Sequence, residues 1–140
     1  MIEKIAYEGH TFALILRDNY EQEGVAFFTP QENPVQLGIL QHRQGTKVKP
    51  HIHRSLPRTI SETQEVLHIE YGEVEASFYD SHGKGLGSVI LKDGDTILLL
   101  YGGHGFNILK DSKILEIKQG PYYGPEDDKE RFNTEQESGE

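Results

Sequence analysis

The stretch Glu65-Val-Leu-His-Ile-Glu-Tyr-Gly72 decides the fold class of this chain, because apolar and polar residues alternate along it. Successive side chains of a β-strand point to opposite faces, so the odd-numbered residues of this stretch are predicted to share one face. Two further runs, residues 73–80 and 84–92, flank the turn-forming triplet Ser81-His82-Gly83. This arrangement predicts a β-hairpin directly after the first strand.

Short strand-like runs recur along the whole chain, with turn-forming residues between them, and no helical period persists. A second hairpin is predicted from residues 106–110 and 113–118 around Asp111-Ser112. The pattern is typical of an all-β, antiparallel sandwich or barrel with little helix. The predicted strands are residues 11–17, 24–29, 35–43, 64–71, 74–80, 87–92, 96–101, 106–110 and 113–118.

The length of the chain, 140 residues, is enough to enclose one core but too short for two substantial domains. We expect residues 1–123 to form a single β-barrel domain with an N-terminal strand extension. Residues 124–140 are polar and acidic, which predicts a surface tail that is a candidate for disorder at its end. Phe132 is the only aromatic residue in this tail, and it offers a local docking point.

The composition excludes several kinds of partner and chemistry. The 23 acidic and 14 basic residues give a net charge of −9, which argues against binding to nucleic acid or to an anionic membrane. Cysteine is absent, so any metal ion must be held by nitrogen and oxygen ligands. The chain shows neither a leader pattern nor an apolar run of membrane-spanning length, and we expect a cytoplasmic protein.

A candidate metal-binding pair lies in the segment Gly45-Thr-Lys-Val-Lys-Pro-His51-Ile-His53. In a strand, His51 and His53 would project to the same side, so that two imidazoles could meet one ion. A His-x-His pair also arises by chance, and the alternative interpretation is two ordinary surface histidines. Residues 54–63, which follow His53 directly, contain Pro57 and show little periodicity, and we expect them to lie over the site.

Glu65 is the first candidate for a third ligand, because a carboxylate at the head of an apolar row is costly unless it is paired or bound to a cation. Glu62 is its rival in the preceding loop. A second histidine segment, Gly94-Asp-Thr-Ile-Leu-Leu-Leu-Tyr-Gly-Gly-His104-Gly-Phe-Asn107, adds His104 to the candidates. The glycines around His104 are equally consistent with a tight turn, and both interpretations can hold together.

These two segments resemble the paired motifs of the cupin family over roughly residues 35–119. The first cupin motif places a glycine, two histidines, a glutamate and a second glycine in order, and the second motif places a glycine, a glycine, a histidine and an asparagine in order. The matching residues here are Gly45, His51, His53, Glu65 and Gly72, followed by Gly94, Gly102, His104 and Asn107.

The resemblance implies a cupin-type double-stranded β-helix, which is a jelly-roll barrel, with a metal site at one end. It implies that His51, His53, Glu65 and His104 hold one divalent metal ion. A mixed nitrogen and oxygen ligand set suits Mn²⁺, Fe²⁺, Ni²⁺, Co²⁺ or Zn²⁺ better than Ca²⁺ or Mg²⁺. It also implies a homodimer, since cupins commonly pair through N-terminal extensions.

Three residues are candidates for binding a small-molecule substrate. Arg58 can pair with an anionic oxygen, although a solvated loop arginine is the alternative. Phe106 shares a face with His104 and is a candidate apolar wall. Gln119 shares parity with Leu115 and Ile117 on a row predicted to face inward.

The favoured function is a metal-dependent enzyme that isomerises or epimerises a sugar, sugar acid or keto acid by Lewis-acid chemistry. A non-catalytic module that binds or senses a sugar is the alternative, and an iron-dependent dioxygenase is a further one. The link to carbohydrates rests on similarity to small bacterial cupins placed with sugar and polysaccharide metabolism.

Overall fold

A computed structural model describes residues 2–132 of the chain. Strands account for 49% and helix for 3% of these residues, and every strand pair is antiparallel. The prediction of an all-β antiparallel chain with little helix is confirmed. The elements are β1 (Ile2–Tyr7), β2 (His10–Leu16), β3 (Gly24–Phe27), β4 (Gly38–Gln41), β5 (Glu65–Tyr79), β6 (Gly85–Lys92), β7 (Thr96–Leu99), β8 (Gly103–Lys118) and α1 (Pro125–Asp128).

The chain divides into two compact units. The first unit comprises the described residues up to 20 and from 63 onward, and the second unit comprises residues 21–62. The assignment of residues 1–123 to one domain stays a prediction. No helix in the described part of the chain is long and apolar enough to cross a membrane.

The first unit is built on one curled sheet, in which the strands follow the order β1-β2-β7-β5-β6 and β8 also pairs with β5. The predicted alternation in the first half of β5 is confirmed, because Leu67 and Ile69 are 5% and 1% exposed. They belong to one buried apolar cluster, which also contains Phe12, Ile15, Phe78, Leu91 and Ile97. Burial of these large apolar side chains is the main stabilising contribution to the unit.

The hairpin predicted from residues 73–80 and 84–92 is confirmed, since β5 pairs with β6 from Glu73 opposite Lys92 to Tyr79 opposite Gly85. The second predicted hairpin is wrong. Asp111 and Ser112 lie inside the continuous strand β8, which pairs with β5 along its length. These two residues form a β-bulge instead of a turn, at the point where the register between β8 and β5 shifts beside Gly72.

Replacement of Gly72 by alanine is expected to lower the free energy of unfolding by about 2 kcal/mol. Gly72 has a φ of 119°, and a Cβ added there would lie 2.0 Å from Ser112 Oγ. Chemical denaturation measures the loss. Gly85→Ala is the matched control, because a Cβ at Gly85 meets only Tyr79 at 3.8 Å. Equal destabilisation by the two substitutions would contradict the prediction.

The second unit contains the β3–β4 hairpin, in which Gly24 lies opposite Gln41 and Phe27 opposite Gly38. The side-chain amide of Gln36 donates hydrogen bonds to the carbonyl oxygens of Pro30 and Asn33, which closes the loop between the two strands. Residues 42–62 contain neither helix nor strand. The strand geometry expected around His51 is therefore wrong.

The tail predicted to begin at residue 124 is described as far as residue 132, and residues 133–140 lie outside the described residues. The tail starts with the single-turn helix α1, which buries none of its residues. The local docking of Phe132 is confirmed, because its ring lies 5.8 Å from that of Tyr79.

Candidate functional site

Glu65 at the start of β5 and His104 at the start of β8 come together in the first unit, with 3.6 Å between Glu65 Oε1 and His104 Nε2. In the pairing of β5 with β8, Glu65 lies opposite Lys118 whereas His104 lies opposite Phe78. A straight β5 would separate these two positions by about 40 Å. The two side chains meet because the long strand pair is bent where its register shifts.

Glu65 is held in an environment that favours its neutral form. Its side chain is only 12% exposed. Burial, a hydrogen bond with Glu116 and the charge of that carboxylate together raise the pKa of Glu65 to about 7, with burial as the largest cause. The Lys118 and Lys129 charges oppose this rise in the pKa. The neutral form of the Glu65 carboxyl group is therefore favoured beside Glu116.

The environment of His104 favours the neutral form of its imidazole. Its side chain is 28% exposed, and burial lowers its pKa below the ordinary histidine value. Its contact with Glu65 is therefore not a full ion pair at neutral pH. A neutral imidazole beside a carboxyl group that is about to ionise is a donor pair suited to a divalent transition metal.

The surroundings of this pair are partly apolar and partly cationic. The Phe106 ring lies 5.6 Å from that of His104, and its role as an apolar wall for a substrate stays a prediction. Lys118 Nζ lies 3.9 Å from Asp128 Oδ2 and 5.4 Å from the centre of the Tyr122 ring. A cation that is paired with Asp128 is thus held beside the carboxyl groups.

The row of Leu115 and Ile117, with which Gln119 is predicted to face inward, is exposed instead. Residues directly opposite each other on paired strands share a face, so the row of Lys118, Glu116 and Ile114 faces the same way as Glu65, Leu67 and Ile69. Leu115 and Ile117 are 51% and 61% exposed. The Gln119 amide donates to the Gly120 carbonyl oxygen at 2.9 Å. A substrate contact by Gln119 stays a prediction.

Glu116 is the functional candidate that the sequence interpretation missed. The available signal was its even spacing from Lys118 and Ile114, but isoleucine and leucine occupy both rows of this strand and conceal which row faces the same way as Glu65.

His51 and His53 lie in the second unit, in an exposed segment without regular structure. Their ring centroids are nevertheless 5.2 Å apart. His51 Nδ1 lies 2.9 Å from the Lys49 carbonyl oxygen, which can only accept. This contact assigns the proton to Nδ1 and leaves Nε2 of His51 as the free donor atom for a metal. Arg58 and Glu62 are also exposed in this segment.

The structure thus brings Glu65 to His104 in one unit and His51 to His53 in the other. Within residues 2–132, it contains no group of three or more His, Asp or Glu side chains arranged to hold a metal ion. The predicted set of four ligands stays a prediction.

Neither a family model, nor a curated protein, nor a solved structure matches this chain. The cupin assignment therefore rests on the sequence resemblance.

Proposed function

We propose that this chain is a cupin-type jelly-roll protein that binds one divalent transition metal and acts as an enzyme on a small oxygenated substrate. The observation that carries the proposal is the contact of 3.6 Å between Glu65 and His104, both largely withdrawn from solvent. A buried carboxyl group next to an uncharged imidazole is costly for folding alone, and a metal ion offsets that cost.

Glu65 and His104 would hold the metal, and His51 and His53 are the further predicted ligands. Bound there, the ion would supply Lewis-acid polarisation of a hydroxyl–carbonyl pair. Glu116 forms a hydrogen bond with Glu65 and would orient that carboxyl group toward the ion. The Phe106 ring, 5.6 Å from that of His104, would form an apolar wall beside the metal. A homodimer and a cytoplasmic location stay predictions.

Metal content measured by plasma emission spectrometry tests ligation. Protein purified without chelator is expected to contain about one equivalent of Mn, Fe, Ni, Co or Zn, and Glu65→Gln and His104→Ala are each expected to weaken binding by at least tenfold. His51→Ala/His53→Ala tests the predicted ligands of the second unit separately. His82→Ala is the control, because His82 is an exposed turn residue. Folded protein that takes up no metal on reconstitution would overturn the proposal.

Solvent deuterium exchange distinguishes an isomerase from a binding module. The metal-loaded protein in D₂O is expected to introduce deuterium at the carbon next to the carbonyl group of one sugar, sugar acid or keto acid, as seen by NMR. The stripped protein is expected to introduce none. Saturable binding without exchange or turnover across the panel would favour the sensing or carrier function instead.

A further inference from the structure

Residues 124–132, called the strap below, return from the end of β8 to the Glu65–His104 site. Asp128 in the strap pairs with Lys118, whose register partner on β5 is Glu65. The side chains of Lys118 and Asp128 are 21% and 15% exposed, so this ion pair is largely sheltered from solvent. The strap is thereby attached beside Glu65.

Phe132 forms the second attachment of the strap. A Cβ added at Gly103 would lie 2.5 Å from Phe132 Cε2, and one added at Gly83 would lie 3.0 Å from Phe132 Cδ1. The ring therefore occupies space that only glycine leaves free at these two positions. Gly103 is the residue immediately before His104, so this attachment is beside the other member of the site.

The strap also acts on the site electrostatically. The charge of Lys129, between the two attachments, lowers the pKa of Glu65 and of His104. The same strap residue is thus close enough to affect both side chains. The strap has little to hold it except these attachments, because α1 is one turn long and buries none of its residues.

We propose that the strap is a lid on the Glu65–His104 site, that Phe132 is its latch, and that the lid must lift before a ligand reaches His104. A segment with few buried contacts opens by local unfolding while the rest of the fold persists. The inference rests on the proposed function for its biological meaning, but access to His104 is measurable without any metal.

Carbethoxylation of His104 by diethyl pyrocarbonate, mapped by mass spectrometry on chelator-treated protein, tests the lid. Phe132→Ala is expected to raise the rate at His104 by about tenfold, whereas the rates at the exposed His51 and His53 stay unchanged and serve as internal references. Asp128→Asn is expected to give a smaller rise at His104. An unchanged rate at His104 in folded Phe132→Ala would overturn the proposal.

A disulfide lock provides the matched comparison, because the natural chain has no cysteine. A Cβ built at Gly83 lies 3.5 Å from Phe132 Cβ, within the range for a disulfide. Gly83→Cys/Phe132→Cys, when oxidised, is expected to label at His104 at least tenfold more slowly than when reduced. Gly83→Cys alone controls for strain at a φ of 83°.

If Phe132→Ala unfolds the protein, all histidines react faster in that variant. The disulfide variant then provides the test of the lid. Equal rates at His104 in the oxidised and reduced forms would reject the lid. A difference between the two forms in a protein that takes up no metal would keep the lid and reject the proposed function, so the two failures are distinguishable.

Discussion

Asp95→Ala is expected to lower the free energy of unfolding by about 3 kcal/mol, because it breaks a largely buried ion pair. The Asp95 side chain is 7% exposed, and Arg17 Nη1 donates to its Oδ2 at 2.8 Å. The carboxylate also accepts the backbone N–H groups of Asp18 and Lys92 at 3.0 and 2.8 Å. Asp95 lies in the turn between β6 and β7, and alanine at this position would leave the three donors without their acceptor. Urea denaturation at neutral pH measures the loss.

A double-mutant cycle with Arg17, the partner of Asp95, measures the coupling energy between the two side chains. Arg17 also donates to both carboxylate oxygens of Glu3 and to the Ile90 carbonyl oxygen, and it therefore links β1 and β6 to the turn that contains Asp95. Arg17→Met combined with Asp95→Ala is expected to cost at least 1 kcal/mol less than the sum of the single changes. Asp111→Ala, at an exposed position on β8, is expected to change stability by less than about 0.5 kcal/mol. Strict additivity, or an equal loss from the control, would contradict the prediction.

The alternation in β5 and the hairpin to β6 were predictable because they depend on neighbours in sequence. Glu65 was likewise found from its place at the head of an apolar row. Asp95 could not be singled out, since its acceptor role depends on Arg17, which joins it only through the pairing of β2 with β7. Its sequence context, next to Asp93-Gly94, indicates only a turn.

The errors have a common physical cause. Asp111-Ser112 has the composition of a hairpin turn, and Ser112 Oγ does donate to the Lys110 carbonyl oxygen at 2.7 Å. The strand nevertheless continues, because pairing with β5 satisfies the backbone on both sides of the bulge. The row of β8 that faces the same way as Glu65 is decided by that same pairing, so the sequence alone could not identify Glu116.

The stability of the metal-free protein is expected to fall as pH rises from about 4.5 to 7, because of Glu65. Its pKa is 4.5 in the unfolded chain and is raised to about 7 in the folded protein, mainly by burial. Below pH 4.5, Glu65 is protonated in both the folded and the unfolded state, and its burial does not reduce the free energy of unfolding through ionisation. Between the two values the unfolded state loses its proton first, so folding becomes less favourable. Above the higher value the full cost, about 3 kcal/mol, is present.

Glu65→Gln removes this ionisation and is therefore expected to stabilise the metal-free protein at pH 8 by up to about 3 kcal/mol, with no gain near pH 4. Glu62→Gln, at the exposed rival position, is the matched control and is expected to leave the pH profile unchanged. Saturating metal is expected to reverse the order at pH 8, because the ion takes the place of the proton on Glu65. Denaturation curves at pH 4, 6 and 8, with and without metal, measure all three effects. A Glu65→Gln difference that does not vary with pH would show that the carboxyl group is not buried as described.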